Sequence, residues 1–289
     1  MIENKKGLLL LFLCILSVVP LSAQDEVLTA GEVVDRIKEA VTTEWADQTV
    51  DTFKSGSEAS EVTGIATTFL SNLDVLKRAK ALGCNMVITH EPTFYNHLDK
   101  TAQFGENDPV LMAKQKFIEE NGIIIWRFHD HWHRTSPDGI YKGIEEKLGW
   151  TTYRKDRDFI YEIPETTLSQ LASDLKKLFQ AKTIRVIGPP NMKLSKIGLA
   201  LGAPGSMAQI GLLRKEGVEV LISGESQEWE TVEYTRDAIT AGMDKALILL
   251  GHASSEEAGM EYCAEWLKDF VTEVPIEFVP AYEPFWGPE

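Results

Sequence analysis

The run Ala246-Leu247-Ile248-Leu249-Leu250 is followed directly by Gly251-His252-Ala253-Ser254-Ser255-Glu256. The first five residues are all apolar, which is typical of a strand buried on both faces of a parallel sheet. One of the two serines would cap a following helix and place Glu256 in its first turn, where a carboxylate is favoured. His252 would then lie beyond the carboxyl end of a strand, where open α/β sheets bind ligands. Alternatively, His252 is an ordinary loop residue and Glu256 only a capping residue.

Two other apolar runs also end in histidines. Residues 84–89 precede His90 and Glu91, and residues 123–128 precede His129-Asp130-His131-Trp132-His133. Alternate residues of an extended segment share a face, so His129, His131 and His133 are predicted to point one way. Imidazole is the commonest metal-binding side chain, which favours one metal site built from three distant segments. The alternatives are a backbone-bonded histidine at residue 90 and a solvated polar loop at 129–133.

Predicted strands and helices alternate along the chain after residue 26. This pattern predicts an α/β fold with two halves, residues 24–155 and 156–289, each with a mainly parallel sheet flanked by helices. The metal site is expected in the cleft between the halves. Residues 46–60 are polar and are predicted to be irregular, whereas residues 229–241 and 256–270 are predicted helices.

The composition is that of an acidic globular protein. The chain has 289 residues, of which 44% are hydrophobic and 25% charged, and its formal net charge is −15. Phosphate backbones bind basic surfaces, so this charge and the lack of a basic stripe argue against nucleic acid as a partner.

The N-terminus predicts export. Lys5 and Lys6 precede an apolar segment at residues 7–19 and a small-residue exit at Ala23, which together are typical of a signal peptide over residues 1–23. The mature chain, residues 24–289, would be periplasmic or extracellular. An uncleaved anchor and a lipoprotein signal acylated at Cys14 are the alternatives. Cys84 and Cys263 are both predicted to be core thiols rather than a disulfide pair.

Taken together, the histidine motifs resemble the NIF-three-like family of hexameric proteins with a dinuclear metal centre, also described as GTP cyclohydrolase I type 2-like. The resemblance is carried by Thr89-His90-Glu91-Pro92, by residues 128–133 with Asp138-Gly139, and by Gly251-His252 with Ser255-Glu256. It covers roughly residues 33–280. The third motif is the most specific of the three, whereas the first two are altered.

The resemblance implies a ligand set for two metal ions. The family's ligands are two adjacent histidines, an aspartate, a histidine and a glutamate, and these positions hold the residues His90, Glu91, His133, His252 and Glu256. One histidine has become a glutamate and the aspartate has become a histidine, so the total of three imidazoles and two carboxylates is unchanged. His129 and His131 are candidate additional ligands, and Glu225 is a candidate acid/base or ligand-positioning residue beside the centre.

The resemblance also implies a function. We expect a metal-dependent hydrolase in which two divalent ions activate water, acting on a small-molecule substrate of nucleotide-like chemistry. Mixed nitrogen and oxygen ligands suit Zn, Fe or Mn. A homohexamer is expected. The alternative is a non-catalytic metal-binding or scaffold protein that forms a ring-shaped oligomer.

Overall fold

The computed structural model describes residues 27–105, 107–155 and 158–288. The predicted signal peptide lies outside these residues. No helix within them is both long and apolar enough to cross a membrane. Cys84 and Cys263 are both buried free thiols, as predicted.

Ten strands and nine α-helices are found in the described residues. The strands are β1 Phe53–Ser55, β2 Ile65–Leu70, β3 Met86–Glu91, β4 Ile124–Arg127, β5 Ile160–Thr167, β6 Arg185–Ile187, β7 Lys193–Ala200, β8 Val220–Ser223, β9 Ala246–Leu249 and β10 Ile276–Phe278. The α-helices are α1 Ala30–Ala40, α2 Leu73–Ala81, α3 Pro109–Glu120, α4 Asp130–Arg134, α5 Gly139–Leu148, α6 Leu168–Leu178, α7 Ser206–Leu213, α8 Glu233–Thr240 and α9 His252–Lys268. A 3₁₀ turn at Ala102–Phe104 and a π turn at Glu228–Val232 complete the elements.

The strands form two five-stranded sheets. The first has the order β1-β4-β3-β2-β10 and the second the order β5-β7-β8-β9-β6. Only β1, β5 and β6 run antiparallel to their neighbours. The prediction of an α/β fold with largely parallel sheets is therefore confirmed.

Residues of both sheets share one apolar core. Ile88 and Trp126 from the first sheet, Ile222 and Ile248 from the second, and Met260 of α9 belong to the same buried cluster. Smaller clusters lie on the opposite faces of the two sheets. The interior strands are continuously apolar because both of their faces are covered.

The C-terminal strand crosses the predicted seam at residue 155. Strands β5 to β9 all lie between residues 160 and 249, but β10 returns to the first sheet and pairs in parallel with β2. Helix α9 precedes this return and packs against β2 and α5. The carboxyl ends of β3, β4, β8 and β9 consequently lie near one another, beside the first turn of α9.

Candidate metal centre

Six side chains from three separate segments converge at this place. His90 and Glu91 end β3, His129 and His133 flank α4, and His252 and Glu256 lie one turn apart at the start of α9. Two groups have ligand atoms within 4.8 Å of one another: His90 with His129 and His133, and His90 with Glu91 and Glu256. The structure thus brings together all five residues of the expected ligand set, together with His129.

The segment 129–133 is helical, so the prediction of an extended segment is wrong. His129 is the residue before α4 and His133 lies one turn later, so both face the cluster, with ring centroids 5.0 Å apart. Asp51 explains the helix, because its carboxylate accepts hydrogen bonds from the backbone N–H groups of His129, Asp130 and His131 at 2.7–2.9 Å. A carboxylate at a helix N-terminus satisfies donors that otherwise lack partners.

His131 points away from the cluster, which corrects its prediction as an additional ligand. Its Nδ1 lies 2.7 Å from the Asp51 carboxylate, and its Nε2 accepts a hydrogen bond from the Ala46 N–H at 2.9 Å. The ring stacks on Trp45 with centroids 3.6 Å apart. Both ring nitrogens are therefore engaged, and His131 has a structural role.

The three histidines of the first group share one orientation pattern. The Nδ1 atom of His90 lies 3.1 Å from the Phe128 carbonyl oxygen, that of His129 lies 3.0 Å from Asp130, and that of His133 lies 3.0 Å from Asp138. Metal-binding histidines usually donate their second ring N–H to a carboxylate or carbonyl group, which fixes the tautomer. This arrangement leaves each Nε2 lone pair directed at the cluster.

The other side of the cluster is richer in carboxylates. The Nε2 of His252 lies 3.2 Å from Glu256 Oε2 and 3.5 Å from Glu91 Oε1, and Glu256 Oε2 lies 3.6 Å from His90 Nε2. Gly202, at φ +62°, lies directly behind the Glu256 side chain, and a Cβ at position 202 would collide with the carboxylate. This close approach leaves the Glu256 side chain little freedom to move away from the cluster.

A fully buried arginine lies beneath Glu91. Arg127 donates to the carbonyl oxygens of His90 and His97 at 3.0 and 2.5 Å, and its Nη2 lies 3.5 Å from Glu91 Oε2. Buried charges are tolerated when they are paired and hydrogen-bonded. Arg127 thus stabilises a carboxylate at position 91. The sequence offered no periodicity or motif that marks Arg127 or Asp51 as part of the site.

The pKa values of the histidines follow from this asymmetry. Burial, followed by the positive potential of His133 and His129, lowers the pKa of His90 well below its usual value. Burial also opposes a charge on His252, but the surrounding carboxylates of Glu225, Glu256 and Glu91 outweigh burial and raise the pKa of His252 to about 12. Burial opposes a charge on His133 as well, but its hydrogen bond with Asp138 and the nearby carboxylates outweigh burial and raise its pKa. The cluster therefore combines a neutral His90 with histidines that are held next to carboxylates.

Buried atoms without partners show that these residues fit a cation. Within the described part of the chain, His90 Nε2 and Glu256 Oε2 are buried and have no hydrogen-bond partner. Leaving such groups unsatisfied costs roughly 1–3 kcal/mol each. Divalent ions bound at this cluster would satisfy both atoms, and the nitrogen and carboxylate donors around them suit Zn, Fe or Mn.

Glu225 lies at the edge of the cluster. Its Oε1 is 3.6 Å from His252 Nδ1, its side chain is largely exposed, and its backbone N–H donates to the Gly202 carbonyl oxygen at 3.0 Å. The contact with His252 lowers the pKa of Glu225 more than burial raises it. Glu225 is therefore placed to orient His252 from the side opposite the other carboxylates.

Comparison with known proteins identifies the family of this chain. The model of the family DUF34/NIF3 (NGG1p interacting factor 3) matches residues 28–284. The chain belongs to the DUF34/NIF3 family. All the residues of the cluster lie within the matched range.

Two curated relatives are called GTP cyclohydrolase 1 type 2 homolog. The chain is 24% identical to the one from Clostridium acetobutylicum, covering 70% of this chain and 75% of the relative. It is 21% identical to the one from Clostridium perfringens, covering 79% of this chain and 86% of the relative.

Solved structures share the NIF3 fold at low sequence identity. A Bacillus cereus protein related to NIF3 has a TM-score of 0.73 at 14% identity, over 91% of this chain and 100% of that one. A Staphylococcus aureus protein has a TM-score of 0.70 at 17% identity, over 90% of this chain and 99% of that one. These likenesses concern the fold alone.

Proposed function

We propose that this NIF3-family chain is a metal-dependent hydrolase with a dinuclear centre. The observation that carries the proposal is the pair of buried atoms without a hydrogen-bond partner, His90 Nε2 and Glu256 Oε2, among further side chains that could hold a metal ion. The proposed ligands are His90, Glu91, His133, His252 and Glu256. His129 is added as a sixth donor because its Nε2 lies 3.8 Å from Glu91 Oε1.

The six donors divide into two sets of three. His90, His129 and His133 form an all-imidazole set, and Glu91, His252 and Glu256 form a set with two carboxylates. His90 has only Nε2 to offer, since Nδ1 is engaged with Phe128, so it would bind a single ion. We propose that each set holds one divalent ion of Zn, Fe or Mn.

Divalent ions held there would supply Lewis-acid activation of water and of the bond to be cleaved. The protein's own residues set the geometry. Arg127 fixes Glu91 from below, and Asp138 fixes His133. Glu225 contacts His252 Nδ1 and is exposed to the cleft, so it is the proposed residue that accepts or returns a proton near the substrate.

The substrate class rests on the relatives. The name of both Clostridium proteins refers to GTP cyclohydrolase, an activity on a nucleotide. For this chain we propose a small molecule of nucleotide-like chemistry.

Metal analysis tests the ligand assignment. Protein purified without a polyhistidine tag should contain up to two ions per chain by elemental analysis. His133→Ala and Glu256→Ala should each lose at least one ion, because each removes a donor from a different set. Glu265→Ala, an exposed position on the same helix as Glu256, should keep the wild-type content. Unchanged metal content in both ligand variants would overturn the assignment.

Hydrolysis of nucleotides and simple phosphate esters tests the activity. Turnover should disappear with a chelator and return with added Zn²⁺, Mn²⁺ or Fe²⁺. Full metal content without metal-dependent turnover of any compound would instead favour the non-catalytic metal-binding protein.

A further inference from the structure

A cavity of about 910 Å³ extends from the cluster of candidate metal ligands to the C-terminal segment, residues 281–288. Glu91, Glu225 and His252 line it at the cluster. Its volume lies in the range of small-molecule sites, roughly 300–1,000 Å³. A molecule in this cavity would therefore reach the residues that the proposed function uses.

Five aromatic side chains contribute to the rest of the lining. They are Phe69, Tyr95, Tyr282, Phe285 and Trp286. Phe69 lies nearest the cluster, with its ring centroid 5.1 Å from that of His252, and the other four are more than half exposed. Large apolar groups gathered around one exposed cavity are typical of a binding site.

The C-terminal segment is held in place by polar contacts on both sides of the cleft. Glu257 of α9 accepts hydrogen bonds from the N–H groups of Ala281 and Tyr282 at 2.5 and 2.9 Å. The Glu283 carboxylate accepts from the N–H groups of Lys182 and Thr183 at 2.6 and 3.1 Å. These contacts fix residues 281–283 before any ligand binds, which lowers the entropy cost of binding at Tyr282.

The cationic side chains in the lining are already engaged. Arg185 pairs with Glu228 at 2.5 Å, and Lys114 donates to the carbonyl oxygen of Thr93. These two are the only lysine or arginine side chains among the described lining residues. The cavity is thus built to contact the faces of a ring rather than to clamp a chain of phosphates.

We propose that the C-terminal segment forms the substrate-recognition wall of the metal centre, where Tyr282, Phe285 and Trp286 bind a planar aromatic or heteroaromatic ring. The inference rests on the proposed function and deepens it. The ring packs against the aromatic side chains, and its substituent points to the cluster at His252 and Glu91. Aromatic pairs gain from offset or edge-to-face contact beyond simple burial.

Calorimetry with 2-naphthamide and its fully saturated counterpart, decahydronaphthalene-2-carboxamide, tests the inference. The two probes share the amide group and differ in planarity and aromaticity. The wild-type protein should bind 2-naphthamide at least about fivefold more tightly than the saturated probe. Trp286→Ala should weaken 2-naphthamide binding about 3- to 10-fold, whereas Trp286→Phe should stay within about twofold.

Trp229→Ala is the matched control. Trp229 is 73% exposed against 74% for Trp286, but it does not line the cavity, so its loss should leave binding unchanged. Tyr282→Leu is a second variant in case Trp286→Ala fails to fold, and it should also weaken the aromatic probe selectively. Equal binding of the two probes, or equal effects of Trp286→Ala and Trp229→Ala, would overturn the inference.

The double variant His133→Ala/Glu256→Ala separates this inference from the proposed function. It should lose metal but keep the preference for the aromatic probe, because the aromatic wall contains no proposed ligand. A preference that persists while metal content is unchanged would contradict the ligand assignment alone. Loss of metal as expected, with no ring preference in the wild-type protein, would contradict the aromatic wall alone.

Discussion

Which histidine can bind a metal depends on the hydrogen bonds of its Nδ1 and Nε2 atoms. His129 and His131 are two residues apart, and each has a carboxylate at Nδ1. They differ at Nε2, which faces the cluster in His129 but accepts the Ala46 N–H in His131. The number of imidazoles in the motif therefore overstates the number of ligands.

This difference predicts opposite effects of two alanine substitutions. His129→Ala should lower metal content by up to one ion per chain and change the stability of the metal-free protein little, because the ring is partly exposed. His131→Ala should keep the metal content but destabilise the fold by about 2–4 kcal/mol, since a buried, doubly hydrogen-bonded ring is lost. Elemental analysis and urea unfolding of both variants measure the two effects. Loss of metal in His131→Ala, with an intact fold, would contradict the structural role.

At the scale of elements, the start of a helix can be predicted where neighbouring residues supply the capping side chain and the first helical residue. Asp108-Pro109 gives a capping side chain and a proline at the first helical position, and α3 begins at Pro109. Helix α9 begins at His252, four residues before the predicted start, because Gly251 rather than a serine is its N-cap.

Elements fixed by distant residues could not be predicted. Strand β1 lies in the region predicted to be irregular, because a three-residue edge strand shows no hydrophobic period and depends on pairing with β4. Helix α4 depends on Asp51, about 80 residues away. The predicted helix at 229–241 begins with the π turn Glu228–Val232 before α8. His90, His129 and His252 could be singled out because each directly follows an apolar run that forms a strand, and the resemblance to the family pointed to the five proposed ligands. Asp51 and Arg127 carry no local signal.

Helices α5 and α9 belong to different halves of the chain and pack against each other, and glycines allow their close approach. A Cβ at Gly259 would lie 2.5 Å from Ile140 Cα, and one at Gly143 would collide with the Ala258 carbonyl oxygen. The two helices can therefore approach only without side chains at these positions. This contact fixes α9, and with it His252 and Glu256, against the first half.

Gly259→Ala should destabilise the protein by about 2–3 kcal/mol, because the added methyl group meets backbone that cannot move without separating the helices. Gly211→Ala in α7 is the matched control, since a Cβ there meets nothing within 4 Å. That change should be neutral or stabilise the protein by up to about 1 kcal/mol, because alanine lowers the conformational entropy of the unfolded chain. Urea denaturation of both variants compares them, and equal stabilities would show that the helices can separate without cost.

At the scale of the whole molecule, export is a proposal about the first 23 residues. Removal of that segment should give a mature protein whose N-terminus lies near Gln24. Expression of the full-length gene in a Gram-negative host, followed by fractionation and intact-mass measurement, checks it. Soluble cytoplasmic protein that retains Met1 would contradict export, and a lipid-modified mass would indicate acylation at Cys14 instead.

Assembly is the second proposal at this scale. A net charge of −15 makes like chains repel one another, so a homohexamer needs apolar contacts that outweigh the repulsion. Met207, which is 83% exposed, and Tyr234 border a second, smaller cavity away from the candidate metal centre and offer such a contact.

Light scattering should find six chains per particle at micromolar concentration. Because salt screens surface charge over about 8–10 Å at 0.1–0.15 M, the assembly should dissociate more readily at low salt.

Met207→Glu adds a charge to the apolar surface and should shift the particles towards smaller species, whereas Val110→Glu, at an exposed residue of α3, should not. A stable monomer of the wild-type protein at all salt concentrations would refute the assembly.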